Sequence, residues 1–244
     1  KCMNVNNRIH ILDYLRGILA FLIMIYHYLI WFNFPNDASS FISRIGIYGV
    51  STFYIISGYT LYHVYKDKFK LKDIRVFYLK RVLRIFPLMW LVLALNFLVL
   101  KNKYSSYVIL LNITGGFSLI DIDQYIATGA WSIGNELVFY LFFPFILLIS
   151  RTGKYSIYLI LIVSLFYFLI FSNILLTPIE ALSSVWVLYI NPFNQMLFFV
   201  AGIVVAKVVN GKTHNLIATI GVILFSMVFL FLPATGNQIN LVTG

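Results

Sequence analysis

Apolar stretches of about 18 or more residues recur along the whole chain, and a run of that length is what a helix needs to cross a bilayer. Hydrophobic residues make up 61% of the sequence and charged residues 11%, against roughly half and a quarter in soluble domains. The repetition excludes a single anchor on a soluble domain, and no stretch is long and polar enough to form a separate domain. The expectation is an all-α fold: one integral membrane domain over residues 1–244, a polytopic transmembrane helical bundle with about seven or eight membrane helices. The lone cysteine, Cys2, forms no internal disulfide, and no Cys/His grouping has zinc spacing, so no metal is expected. The first run follows Lys1 and Arg8 as a signal peptide would, but its apolar core is too long and no small-residue cleavage site follows promptly. It reads as a retained span.

Hydropathy and charge place spans near 11–32, 46–65, 85–100, 131–150, 155–173, 186–206 and 215–232. The segment from Tyr104 to Ile120 is broken by Asn112, Gly115 and Gly116 and reads as a short or re-entrant helix held within protein. With the N-terminus in the cytoplasm, the basic residues from Lys66 to Arg84, then Arg151, Lys154, Lys207 and Lys212, fall inside. The outer connections receive Arg44, Lys101 and Lys103 beside Asp37, Asp121, Asp123 and Glu180. The net charge of +10 is thus accounted for by topology, and no nucleic-acid partner is implied.

Ionisable groups inside apolar runs are costly and mark candidate chemistry. In "RIHILDYLRGILAFLIMIYHYLIWF", residues 8–32, Arg16 and His27 are eleven positions apart, about three helical turns, roughly 16 Å of rise and about 20° of rotation. They share one face, Arg16 toward the cytoplasmic end and His27 past the middle. Arg16 either serves that face or snorkels to the interface; His27 is a functional group or a neutral packing histidine. Asp13 is placed to pair locally with Arg16.

"GVSTFYIISGY", Gly49 to Tyr59, puts small residues including Ser57 on a helix, which suits close packing. In "FYLKRVLRIFPLMW", Phe77 to Trp90, Arg81 and Arg84 share a side at i, i+3 and fit either phosphate groups or lipid headgroups. In "WSIGNELVFYLFFP", Trp131 to Pro144, Ser132 and Glu136 lie one turn apart near the outer end of a span. The helix bearing His27 runs outward and the helix bearing Glu136 runs inward, so the two can meet in the outer half of the membrane. A His–Glu pair suits general-base catalysis, and equally a proton relay in a transporter.

Together these four stretches resemble acyltransferase family 3, polytopic membrane proteins that modify extracytoplasmic glycans and some small molecules. "LDYLRGILAFLIMIYH" is similar to its opening arginine–histidine signature, and "FYIISGY" to its second-helix motif. "FYLKRVLRIFPLMW" resembles its paired-arginine motif and "WSIGNELVFYLFFP" its tryptophan–serine–glutamate motif, so the resemblance covers residues 8–206.

The resemblance implies a multi-pass cell-membrane O-acyltransferase that takes an acyl group, usually acetyl, from cytoplasmic acyl-CoA. The acceptor it implies is a hydroxyl on an extracytoplasmic carbohydrate or lipid-linked glycan. It makes His27 the catalytic base or acyl relay, Arg16 the stabiliser of negative charge, and Arg81 and Arg84 the binders of the CoA phosphates. Glu136 orients His27 or the acceptor, while Asp13, Ser57, Trp131 and Ser132 support substrate or structure. Family members carry more helices than are counted here, which implies absent C-terminal helices. The competing classes are a transporter or exporter using Arg16, His27 and Glu136 as a substrate or proton path, and a noncatalytic assembly subunit. His10, His63 and His214 are weaker candidates, and Asp121 and Asp123 lie in a loop that either touches a sugar or is simply solvated.

Overall fold

A computed structural model describes residues 9–32, 40–153, 155–171 and 185–209. Among them there is no β-strand. The helices are α1 (His10–Trp31), α2 (Phe41–Tyr65), α3 (Ile74–Leu95), α4 (Ser106–Thr114), α5 (Ala130–Thr152), α6 (Ser156–Ile170), α7 (Trp186–Tyr189) and α8 (Pro192–Val209). Four helical stretches among the described residues are long and apolar enough to cross a membrane: His10–Trp31, Leu71–Leu100, Ala130–Thr152 and Trp186–Val209. These hold the expected spans 11–32, 85–100, 131–150 and 186–206. The span expected at 46–65 is α2, whose 25 residues are diluted by serines, threonines and tyrosines. The one expected at 155–173 is the shorter α6, and 215–232 lies outside the described residues.

The chain divides into two compact units, the first holding α1, α2 as far as Val64, and α8 from Phe198, the second holding Tyr65–Phe168 and Val185–Leu197. In the first unit α2 is the buried element. Its Tyr54, Ile56, Ser57 and Leu61 are nearly inaccessible. On one side it meets α1: a methyl added at Gly46 would lie 2.5 Å from the Tyr26 ring, and one at Gly49 would lie 2.9 Å from Ile23. On the other it meets α8, whose Phe199, Val200 and Ile203 are fully buried. α1 has no buried residue, and Ile11, Ile18, Phe21, Met24 and Tyr28 lie open along it, the outward apolar surface expected of a helix facing lipid.

Ser40 starts α2, its hydroxyl accepting the backbone N–H of Ser43 at 3.2 Å, an N-cap bond. The helix therefore begins five residues before the expected boundary and takes in Arg44, expected in an outer connection but 7% exposed within its first turn.

In the second unit α3 and α5 lie side by side. Phe77 stacks on Phe143 with ring centres 5.5 Å apart, and the Tyr78 hydroxyl donates to the Leu141 carbonyl at 2.9 Å. Further along, Trp90 Nε1 donates to the Ile113 carbonyl at 2.9 Å, tying α3 to α4. The helix expected between Tyr104 and Ile120 is short: α4 ends at Thr114 because Gly115 takes φ +73°, a left-handed cap that favours glycine. Asn112, read as a break, is 4% exposed. Its amide donates to the carbonyls of Val108 and Gln124 at 2.9 and 2.6 Å and its oxygen accepts the Ile126 N–H at 3.0 Å, so it fastens the following loop to α4.

Candidate functional site

The expected site residues fall in both units. The first holds Asp13, Arg16, His27 and Ser57; the second holds Arg81, Arg84, Trp131, Ser132 and Glu136.

In the first unit, α1 runs unbroken from His10 to Trp31, so Arg16 and His27 keep the one-face relation that eleven helical positions impose. Both are half-buried. Arg16 Nη2 donates to Thr60 Oγ1 at 3.2 Å, while the Thr60 hydroxyl donates back to the Ile56 carbonyl at 2.7 Å. Arg16 therefore points into the packed side of α2. Thr60 lies one residue beyond the recognised "FYIISGY" stretch, where a threonine in an apolar run gives no signal of its own. The His27 ring meets Tyr26 edge-on at 5.1 Å and Trp31 at 6.3 Å. Asp13 lies in the first turn of α1, where a carboxylate is favoured by the helix dipole. Ser57 is 1% exposed in the body of α2.

In the second unit, α3 carries both arginines well inside the helix and ahead of the apolar run expected from residue 85, because α3 starts at Ile74. The reason lies at the N-terminus: the Asp73 carboxylate accepts the Lys70 N–H at 3.0 Å and closes a helical turn over Leu71–Asp73. The charged segment that hydropathy reads as a loop is thus already wound.

The two arginines have different surroundings. Arg84 is exposed. The Arg81 guanidinium carbon lies 5.6 Å from the centre of the Phe77 ring and 5.4 Å from that of Tyr140, within cation–π range. Arg81 Nε is buried and has no hydrogen-bond partner among the described residues.

Glu136 and Tyr140 are one turn apart on α5, and the Tyr140 hydroxyl donates to Glu136 Oε1. Ser132 turns back to the start of its own helix, its hydroxyl donating to the Gly129 carbonyl at 2.8 Å. Trp131, 9% exposed, packs edge-on against Trp186 at 5.7 Å and Tyr189 at 5.8 Å, and Trp186 Nε1 donates to the Tyr125 hydroxyl at 2.8 Å. Trp131 and Ser132 thus build the wall around the α5 N-terminus. Arg151 has a structural task beyond its topology charge: it donates to the carbonyls of Lys66, Phe69 and Tyr65 at 3.0, 2.7 and 3.1 Å, clamping the lysine-rich turn before α3.

Among the described residues no three His, Cys, Asp or Glu side chains are grouped as a metal site requires. What they offer is a histidine in an apolar helix, a carboxylate with a phenol partner, and an arginine, Arg81, held between two rings. The profile of a protein family described as an acyltransferase domain matches residues 9–242. The chain belongs to acyltransferase family 3. No curated protein and no solved structure matches it. Its family and its long apolar helices make it a membrane acyltransferase.

Proposed function

We propose that this family 3 acyltransferase moves an acyl group, most simply acetyl, from cytoplasmic acyl-CoA to a hydroxyl of an extracytoplasmic glycan, its N-terminus lying in the cytoplasm. The observation that carries the reading is Arg81. Its charge rests on Phe77 and Tyr140, and its buried Nε has no hydrogen-bond partner among the described residues. The exposed Arg84 lies one turn away on α3. Such a pair fits the CoA phosphates, Arg81 as an oriented donor and Arg84 as a solvent-screened charge. The basic turn clamped by Arg151 adds positive charge ahead of the same helix.

In this reading His27 removes the proton of the acceptor hydroxyl as its oxygen attacks the thioester carbonyl. Arg16 offsets the negative charge that develops on the carbonyl oxygen. When the carbon–sulfur bond breaks, the imidazolium returns its proton to the leaving thiolate, giving the ester and free CoA. Alternatively His27 carries the acyl group itself before the acceptor takes it; both routes need the imidazole. Glu136 orients the acceptor hydroxyl, and Asp13, Ser57, Trp131 and Ser132 support their own helices.

Mass spectrometry of envelope glycans from cells with and without the gene tests the reaction and identifies the acceptor. Loss of an acetyl ester when the gene is removed, and its return with wild type but not with His27→Ala at equal membrane levels, is the expected result. Full acetylation by His27→Ala would overturn the assignment.

A further inference from the structure

Tyr140 belongs to none of the motifs' polar positions, yet it touches both groups assigned above within the second unit. It is 3% exposed. A phenylalanine would fill the same core, so the hydroxyl calls for a separate explanation. A buried phenol needs a partner, and this one donates to Glu136 Oε1, one turn earlier on the same helix. The face of the same ring lies 5.4 Å from the guanidinium carbon of Arg81 on α3.

The second ring against Arg81, Phe77, is itself fixed. It is 1% exposed, stacks on Phe143, and meets Tyr65 and Phe69 edge-on. The neighbouring bond from the Tyr78 hydroxyl to the Leu141 carbonyl holds α3 against α5 at this level. Tyr140 therefore sits on a rigid contact between two helices, with its two polar functions directed to different groups.

We propose that Tyr140 is a positioning residue that sets the Glu136 carboxylate with its hydroxyl and the Arg81 guanidinium with its ring. It thereby couples the acceptor-side acid to the donor-side cation. The inference rests on the roles proposed above for Glu136 and Arg81, and it divides by substitution: Tyr140→Phe removes only the hydroxyl, and Tyr140→Leu removes the ring as well.

The test uses the full chain in membrane vesicles, with labelled acetyl-CoA as donor and native envelope glycan as acceptor. Binding of acetyl-CoA to the purified protein is measured separately. Tyr140→Phe is expected to lower the maximal transfer rate about tenfold or more, the scale of a lost hydrogen bond to a charged group. It leaves acetyl-CoA binding within about twofold, because the ring remains. Tyr140→Leu loses the same rate and in addition binds acetyl-CoA about threefold to tenfold more weakly.

A Tyr140→Phe enzyme at the wild-type rate, or a Tyr140→Leu enzyme with wild-type acetyl-CoA binding, overturns the inference. If Glu136→Gln and Arg81→Ala show their losses while the Tyr140 variants are silent, the inference alone fails. If Glu136→Gln keeps the wild-type rate or Arg81→Ala keeps wild-type donor binding, the assigned roles fail and the inference with them. Should Tyr140→Leu not accumulate in the membrane, the double variant Tyr140→Phe/Glu136→Gln decides. Losing no more rate than Glu136→Gln alone supports the coupling, and a fully additive loss overturns it.

Discussion

Gly58 of α2 lies against the carbonyl oxygen of Phe199 in α8, and Gly202 of α8 lies against that of Ile55 in α2. Two helices approach this closely only where side chains are absent. A methyl at either position meets backbone, which cannot swing aside as a flexible side chain can. Gly58→Ala and Gly202→Ala are each expected to destabilise the first unit by about 1–3 kcal/mol or more, read as a lower thermal midpoint in detergent. Gly17→Ala is the internal control. Nothing lies within 4 Å of its added methyl, and alanine is the better helix former by about 1 kcal/mol, so its midpoint stays level or rises. Equal midpoints for all three would refute the close crossing.

The bond from Arg16 to Thr60, 3.2 Å long, gives the arginine a fixed direction on the α2 side of α1. Thr60→Val keeps the shape and removes the acceptor. Transfer is expected to fall by about threefold to tenfold, the scale of one hydrogen bond, and to return with Thr60→Ser. Arg16→Ala should lose about a hundredfold or more, as removal of a group that stabilises developing charge does. Arg16→Lys should recover little of it, because an ammonium lacks the planar fork. A Thr60→Val enzyme as impaired as Arg16→Ala would show that the hydroxyl does more than orient.

Sequence patterning made α1 and α4 legible for simple reasons. Arg16 and His27 stand in one uninterrupted apolar run, so helical geometry alone fixes their relation. Gly115 stops α4 because its backbone takes a conformation that a side chain disfavours. Other features were hidden. Arg44 reads as loop charge, but its burial depends on how α2 packs, which hydropathy cannot register. The segment from Ile74 to Arg84 is too charged to look like membrane helix and is nonetheless wound, because the bond from the Lys70 N–H to the Asp73 carboxylate closes a turn just ahead of it and Leu, Lys and Arg, which lose little freedom in a helix, are interspersed through it. Thr60 and Tyr140 are invisible for a different reason: in an apolar run each looks like packing, and its polar tip acquires meaning only beside Arg16 or Glu136.

Arg81 and Arg84 differ in exposure, and that difference predicts how salt acts on donor use. Exposed charges are screened over a length of about 10 Å at 0.1 M ionic strength and about 3 Å at 1 M, while partly buried ones are screened less. At low salt both Arg81→Ala and Arg84→Ala should raise the acetyl-CoA concentration needed for half-maximal transfer. As salt rises, the deficit of Arg84→Ala relative to wild type should shrink and that of Arg81→Ala should persist. Kinetics across a salt series read this directly, and parallel shrinkage in both variants would contradict the assigned difference between the arginines.

Asp121 and Asp123, in the loop ahead of α5, give the chain an element whose contribution to stability depends on pH. The hydrogen bond that the protonated Asp121 carboxyl donates to Asp123 holds it above its usual range, with desolvation and the Asp123 charge adding in the same direction. The Tyr107 hydroxyl, 3.4 Å from Asp121 Oδ2, pulls the other way. A raised carboxyl pKa means that the folded loop binds its proton more tightly than the unfolded chain does. Its contribution to stability is therefore complete below the unfolded value and is lost as pH rises through the folded one. Asp123→Asn should move the Asp121 titration down toward the ordinary carboxylate value, because the carboxylate that accepts its hydrogen bond and the charge it carries are both gone. Tyr107→Phe should move it further up, because a donor to the carboxylate form is gone. Carboxyl-carbon NMR of aspartate-labelled protein in micelles follows both shifts, and an Asp121 titration that stays put in Asp123→Asn would rule out the shared hydrogen bond as its cause.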